Sequence, residues 1–187
     1  MNTFKICLIG GPNTGKTTFI RRHKDGQFLR NYVPTIGTDV QSLILHTNAG
    51  QYCLKIWDTA GQEKFKGLGD AYYLHSDAAI AFYTSHSVDV TKQCVKDFIR
   101  VCDQVPIINV WNKTDLPEEA QFVKTHARIN NSIIVQGRRT TYLVSARSNY
   151  NFEKPFLEIL RQLTKNPQLQ FIEKIEKIEK IENTENI

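Results

Sequence analysis

Gly10-Gly11-Pro12-Asn13-Thr14-Gly15-Lys16-Thr17 is the stretch on which the fold turns. It matches GxxxxGK[ST] and stands between a short apolar run, Phe4 to Ile9, and a helix-period stretch from Gly15 to about Lys24. Strand, glycine loop and helix follow in the order that phosphate binding needs. Backbone N–H groups of the loop and of the helix N-terminus face the phosphates, the Lys16 ammonium reaches their outer oxygens, and the Thr17 hydroxyl is a candidate Mg²⁺ ligand, with Thr18 beside it in the binding set. Four fixed positions of this kind arise by chance in roughly one chain of this length in a hundred, so a plain glycine turn with an exposed lysine is the weaker reading.

Outward from the loop, β-like runs recur at Asp39 to His46, Tyr52 to Trp57, Ala78 to Tyr83, Pro106 to Trp111 and Thr141 to Val144. Between them lie segments that fit helices near 67–76, 88–103, 118–130 and 150–165. Strands alternating with helices predict an α/β fold with a mainly parallel sheet covered on both faces. Thr47-Asn48-Ala49-Gly50 is too short for a helical crossover, so the runs on either side of it are expected to form the one antiparallel pair.

With 187 residues, 41% of them hydrophobic, the chain has the size of one ordinary domain. No apolar run approaches the roughly 20 residues that span a bilayer, and Met1 leads straight into a strand pattern; a soluble, intracellular protein is expected. Cys7, Cys53, Cys94 and Cys102 are scattered without metal-ligand spacing and read as reduced, mostly buried thiols. The last cysteine is Cys102, so no C-terminal prenylation signal is in view and no membrane anchor is expected. The net charge of +5 is spread along the chain, which fits a solvated basic surface better than direct nucleic-acid binding.

A phosphate loop alone leaves kinases, ATPases and GTPases open. Asn112-Lys113-Thr114-Asp115 narrows the choice. It follows the run ending at Trp111, which puts Asp115 at the carboxyl edge of the sheet, where open α/β folds bind ligands. A carboxylate there accepts from guanine N1–H and the 2-amino group together, a donor pair that adenine lacks. Ser145-Ala146, after the last strand, can turn a backbone N–H toward guanine O6.

Asp58-Thr59-Ala60-Gly61-Gln62 starts where the Tyr52 to Trp57 run ends. Asp58 is placed to hold Mg²⁺ through a water, Gly61 to bring its N–H to the terminal phosphate, and Gln62 to orient an attacking water. Thr35, in the loop before the second strand, is the candidate second protein ligand to Mg²⁺, drawn in when a terminal phosphate is present. Phe28 fits against the guanine and Tyr32 over the phosphates, each with a plain core role as the alternative; Trp57 and Trp111 read as core.

These motifs in this order resemble a Ras-superfamily small GTPase from about residue 4 to 171, most similar to the Ran family of nuclear transport. The superfamily elements are GGPNTGKT, Thr35, DTAGQ, NKTD and Ser145-Ala146; the Ran-like ones are WDTAGQEKF running into GLGDAYY, VCDQVPI, the HTNAG turn and Ser148 to Phe156, SNYNFEKPF. The resemblance implies the P-loop NTPase (small G-protein) fold, a six-stranded, mainly parallel sheet with one antiparallel pair and helices on both faces. It implies a monomer that binds GTP or GDP with Mg²⁺ and hydrolyses GTP slowly without an activating protein, Gln62, Lys16 and Gly61 carrying the chemistry. It also implies importin-β-type transport receptors, a guanine-nucleotide exchange factor and a GTPase-activating protein as partners, in nucleus and cytoplasm. A Rab-like vesicle-traffic GTPase and a GTP-bound decoy that does not cycle are the alternatives.

Three departures stand out. Pro12 lacks the N–H of the residue it replaces, and Arg147 takes the place of the family's lysine after Ser-Ala. Residues 172–187 form a low-complexity extension, repeating Ile-Glu-Lys from Ile172 to Lys180, in place of an acidic tail; Glu173 with Lys177 and Glu176 with Lys180 are i,i+4 pairs that favour a helical extension to a 1–171 GTPase domain.

Overall fold

A computed structural model describes residues 1–26, 28, 35, 37–59, 69–127 and 141–172. The strands are β1 (Asn2–Ile9), β2 (Thr38–Thr47), β3 (Gly50–Thr59), β4 (Ala78–Tyr83), β5 (Ile107–Trp111) and β6 (Thr141–Leu143). The helices are α1 (Lys16–Asp25), α2 (Gly69–Tyr73), α3 (Val88–Val101), α4 (Pro117–Ala127) and α5 (Lys154–Thr164). The order across the sheet is β2-β3-β1-β4-β5-β6. All neighbours are parallel except β2 and β3, which pair antiparallel through the short Thr47 to Gly50 turn, as its length requires.

Every residue of β4 is buried, as expected of a central parallel strand covered on both faces. Alternate residues therefore feed two cores. Ile6, Leu8, Ile80, Phe82 and Val110 pack with Phe19 of α1 and with Phe156 and Ile159 of α5; Cys7, Ile9, Ala79, Ala81 and Trp111 pack with Tyr73 of α2 and Phe98 of α3. All four thiols are buried and unpaired with one another. Burial raises the Cys7 thiol to about 11 and keeps it inert.

The sequence placed most elements within a residue or two. The main differences are α5, which begins at Lys154 rather than near 150 because Asn149 and Asn151 take left-handed backbone conformations, and α2, which ends at Tyr73 rather than near 76; residues 60–68 lie outside the described set. Trp57 is half-buried rather than core, with the Lys5 ammonium 4.0 Å from its ring centre. Trp111 is buried as expected. Asn109 on β5 is fully buried, and neither its amide nitrogen nor its oxygen has a hydrogen-bond partner.

After α5 the chain is fastened to the β2–β3 turn. Phe171 bridges to Thr47, the Ile172 N–H donates to the His46 carbonyl at 3.0 Å, and Asn48 exchanges bonds with Gln168 and Gln170. The described chain ends there, and the expected Ile-Glu-Lys helix lies outside the described residues, apart from Ile172 itself. Among the described residues no helix is long and apolar enough to cross a membrane.

Candidate functional site

The loop between β1 and α1 is held from behind. A Cβ on Gly10, whose φ is +140°, would come within 2.5 Å of the Phe82 carbonyl oxygen, and one on Gly15, at φ +89°, within 2.4 Å of the Asn112 amide nitrogen. Both positions are therefore closed to side chains by shape and by backbone conformation. The Thr91 hydroxyl, fully buried on α3, donates to the Phe82 carbonyl at 2.9 Å and accepts from the Gly11 N–H at 3.1 Å. Thr14 closes the loop from within, its hydroxyl donating to the Gly11 carbonyl at 2.9 Å.

Pro12 and Asn13 are exposed at the tip, and α1 begins at Lys16 with no side chain capping its first turn. The leading N–H groups of α1, through Thr18, are thus open to an anion. Lys16 is 6% exposed and donates to the carbonyls of Gly10 and Gly11, each at 2.9 Å, so its ammonium lies inside the loop.

Three oxygens converge beside it. The Thr17 hydroxyl donates to Asp58 Oδ2 at 2.5 Å and lies 2.7 Å from the Thr35 hydroxyl. Asp58 is 1% exposed, and its Oδ1 is buried without a partner; burial raises the carboxyl above its ordinary range, against the pull of Thr17 and Lys16. An orphaned buried carboxylate oxygen within a set of hard oxygen donors fits Mg²⁺. Thr17, Thr35 and Asp58 are the residues that could hold it.

The second motif sits across the same sheet edge. Asn112 donates its side-chain amide to the Thr14 carbonyl at 2.8 Å, tying the two motifs together, and its Oδ1 is buried and unpaired. Lys113 takes a left-handed backbone, φ +61°, and its ammonium, pushed below the usual lysine range by burial, meets Asn13 Oδ1 at 3.1 Å. The Asp115 side chain is 16% exposed; one oxygen accepts from the Ser145 hydroxyl at 2.7 Å and the other lies 3.7 Å from Arg147. Of the pair at 145–146, Ser145 gives its N–H to the Tyr150 carbonyl, which narrows the candidate donor for a base oxygen to buried Ala146.

Phe28 is half-buried and enters none of these bonds. Tyr32, Gly61 and Gln62 lie outside the described residues. Two residues the sequence did not point to are Thr91, which braces the phosphate loop, and Glu119, described below. Neither carries a motif signal; each is recognised only by what the fold brings to it.

A sheet of this order, with a strand–glycine loop–helix unit and an Asn-Lys-x-Asp turn at one edge, defines the small G-protein class of P-loop folds. A family model described as the Ras family matches residues 5–165, and the chain belongs to that family. Its members are GTPases, switches that bind GTP or GDP with Mg²⁺ and work with exchange factors and activating proteins.

Proposed function

We propose that this Ras-family GTPase is a Ran-type transport switch, binding importin-β-type receptors when loaded with GTP, releasing them when loaded with GDP, and working in nucleus and cytoplasm. The observation that carries the switch reading is the 2.7 Å approach of Thr35 to Thr17. It joins the segment before β2 to the helix that follows the phosphate loop, the kind of contact that a terminal phosphate would strengthen and hydrolysis would loosen. The Ran-type reading is supported by sequence, above all by the run Ser148 to Phe156.

In this reading Gly10 to Thr18 and Lys16 hold the phosphates, while Asn112, Lys113, Asp115, Ala146 and Arg147 surround the guanine, with Phe28 against its face. Asp115 does so preset, since Ser145 holds one of its oxygens. Tyr32 covers the phosphates. Thr17, Thr35 and Asp58, the last through a water, would hold Mg²⁺, which would neutralise charge on the phosphates. Gly61 positions the terminal phosphate and Gln62 orients water, and hydrolysis is slow until an activating protein completes the site.

The test is capture of an importin-β-type receptor by the purified protein loaded in parallel with GDP and with a non-hydrolysable GTP analogue. Capture in the analogue lane alone is expected. Equal capture in both lanes, or none in either, refutes the transport assignment.

A further inference from the structure

Pro117, Glu118 and Glu119 open α4 directly after the 112–115 turn. Two acids in a first turn suit the helix dipole, yet they part company: Glu118 is exposed, whereas Glu119 is 3% exposed and turned inward. A buried carboxylate is costly unless donors surround it. Glu119 has three. Its Oε2 accepts from the Ser85 N–H at 2.8 Å and from the Trp111 indole N–H at 3.0 Å, and its Oε1 accepts from the Ser85 hydroxyl at 2.9 Å.

The placement of these donors matters. Ser85 lies just past the end of β4, Trp111 is the last residue of β5, and Asn112 follows it at once. Glu119 therefore ties the strand that enters the 112–115 turn to the helix that leaves it, and both to the exit of β4. The Asn112 N–H donates to the Tyr83 carbonyl, and the Trp111 indole lies between Tyr83 and Phe122, with ring centres 6.4 and 5.1 Å away. Between the two anchored ends, Lys113 must hold its left-handed backbone.

We infer that Glu119 is a positioning residue for guanine-nucleotide binding: by clasping Ser85 and Trp111 to the first turn of α4 it fixes the 112–115 turn and so sets how long a bound nucleotide stays. The inference rests on the reading of that turn as the base-binding element. It acts on release rather than on hydrolysis, since Glu119 touches none of the residues that converge at Thr17.

The experiment is release of a fluorescent GDP analogue from full-length wild type and variants, alongside single-turnover hydrolysis of preloaded GTP. Loss of three buried bonds to a carboxylate predicts at least about tenfold faster release for Glu119→Ala, with the hydrolysis rate of bound GTP within about twofold of wild type. Glu119→Gln offers the same shape, an oxygen for the Ser85 and Trp111 N–H groups and an amide for the Ser85 hydroxyl, and is expected to restore release to within about threefold. Trp111→Phe, which removes one donor, serves if Glu119→Ala does not fold, and should quicken release by about threefold or more. Release from Glu119→Ala at the wild-type rate overturns the inference, as does a fall in hydrolysis equal to the change in release. For the fallback, release from Trp111→Phe at the wild-type rate does so. Failure of the wild type to bind the analogue at all would instead refute the base-binding reading, and the inference with it.

Discussion

The hydroxyls of Thr17 and Thr35 stand 2.7 Å apart although one lies in the first turn of α1 and the other belongs to the segment leading to β2. With Asp58 2.5 Å from Thr17, they gather oxygens of three chain segments at one point.

The first prediction follows from that point. Chelating Mg²⁺ with EDTA should speed GDP release from wild type by at least about tenfold, because the metal binds the nucleotide-loaded form and stabilises it. In Thr17→Ala the same treatment should change release by no more than about twofold. A full EDTA response in the variant would remove Thr17 from the metal site.

Asp115 meets Ser145 with one oxygen and faces the edge with the rest of its carboxylate. Asp115→Asn presents an amide donor where guanine also has donors, so GDP affinity should fall by about a hundredfold or more, while xanthosine diphosphate, which has an oxygen at position 2, should bind better than GDP. Competition binding of the two nucleotides reads the outcome. An unchanged preference for GDP would mean that Asp115 does not face the base.

Gly15 leaves 2.4 Å between a would-be Cβ and the Asn112 amide, the far end of a side chain; Gly10 leaves 2.5 Å to a backbone carbonyl that cannot turn aside. Gly10→Ala should therefore lower unfolding free energy by about 3 kcal/mol and Gly15→Ala by less, since both also force a positive φ on alanine. Adding Asn112→Ala should recover part of the Gly15→Ala loss. Denaturant unfolding of the nucleotide-free proteins checks it, and equal costs without recovery would contradict the geometry.

His23 lies against Phe152, ring centres 3.5 Å apart, with Nδ1 on the Phe19 carbonyl and Nε2 buried without a partner. Burial lowers its imidazole from 6.5 to about 4. Above pH 6.5 the ring is neutral folded or unfolded and contributes no pH dependence; as the pH falls toward 4, only the unfolded chain takes the proton. Stability is thus lost on acidification, by about 3 kcal/mol in full. The unfolding free energy of His23→Phe relative to wild type should move in the variant's favour by about 2 kcal/mol between pH 7.5 and 4.5. A difference constant with pH would show that His23 titrates normally.

Asn109 buries an amide with no partner on either atom. Replacing it by valine, a strand former closer to asparagine in size than leucine is, removes that desolvation cost, so Asn109→Val should raise unfolding free energy by about 1 kcal/mol. Calorimetry decides; a loss of more than about 2 kcal/mol would reveal a bond to the amide.

Much of the fold was legible because its signals are local. The all-apolar β4, the short Thr47 to Gly50 turn and the glycine loop each fix their own geometry, and the first two motifs announce a site by spacing alone. Thr91 and Glu119 were not legible for a different reason. An acid in the first turn of a helix, or a threonine in α3, satisfies local rules as a solvated residue; only the arrival of Phe82 and Gly11 at one, and of Ser85 and Trp111 at the other, makes them internal. The contact of the Lys5 ammonium with the Trp57 ring was hidden likewise, since it depends on the β1–β3 register that puts the two side chains on one face.

The clasp between residues 168–172 and the Thr47 to Gly50 turn acquires a mechanical meaning from the length of the hairpin. At about 3.3 Å per residue, ten-residue strands put that turn roughly 30 Å from Asp58 and Thr38. The exit of the polypeptide and the oxygens of Thr35 and Asp58 that meet Thr17 are thus at opposite ends of one stiff ribbon, and the strand that carries the exit at one end continues from Thr35 at the other. A load applied to the chain beyond residue 172 would be felt at the nucleotide as tension along β2, which makes the tail a handle on the hairpin.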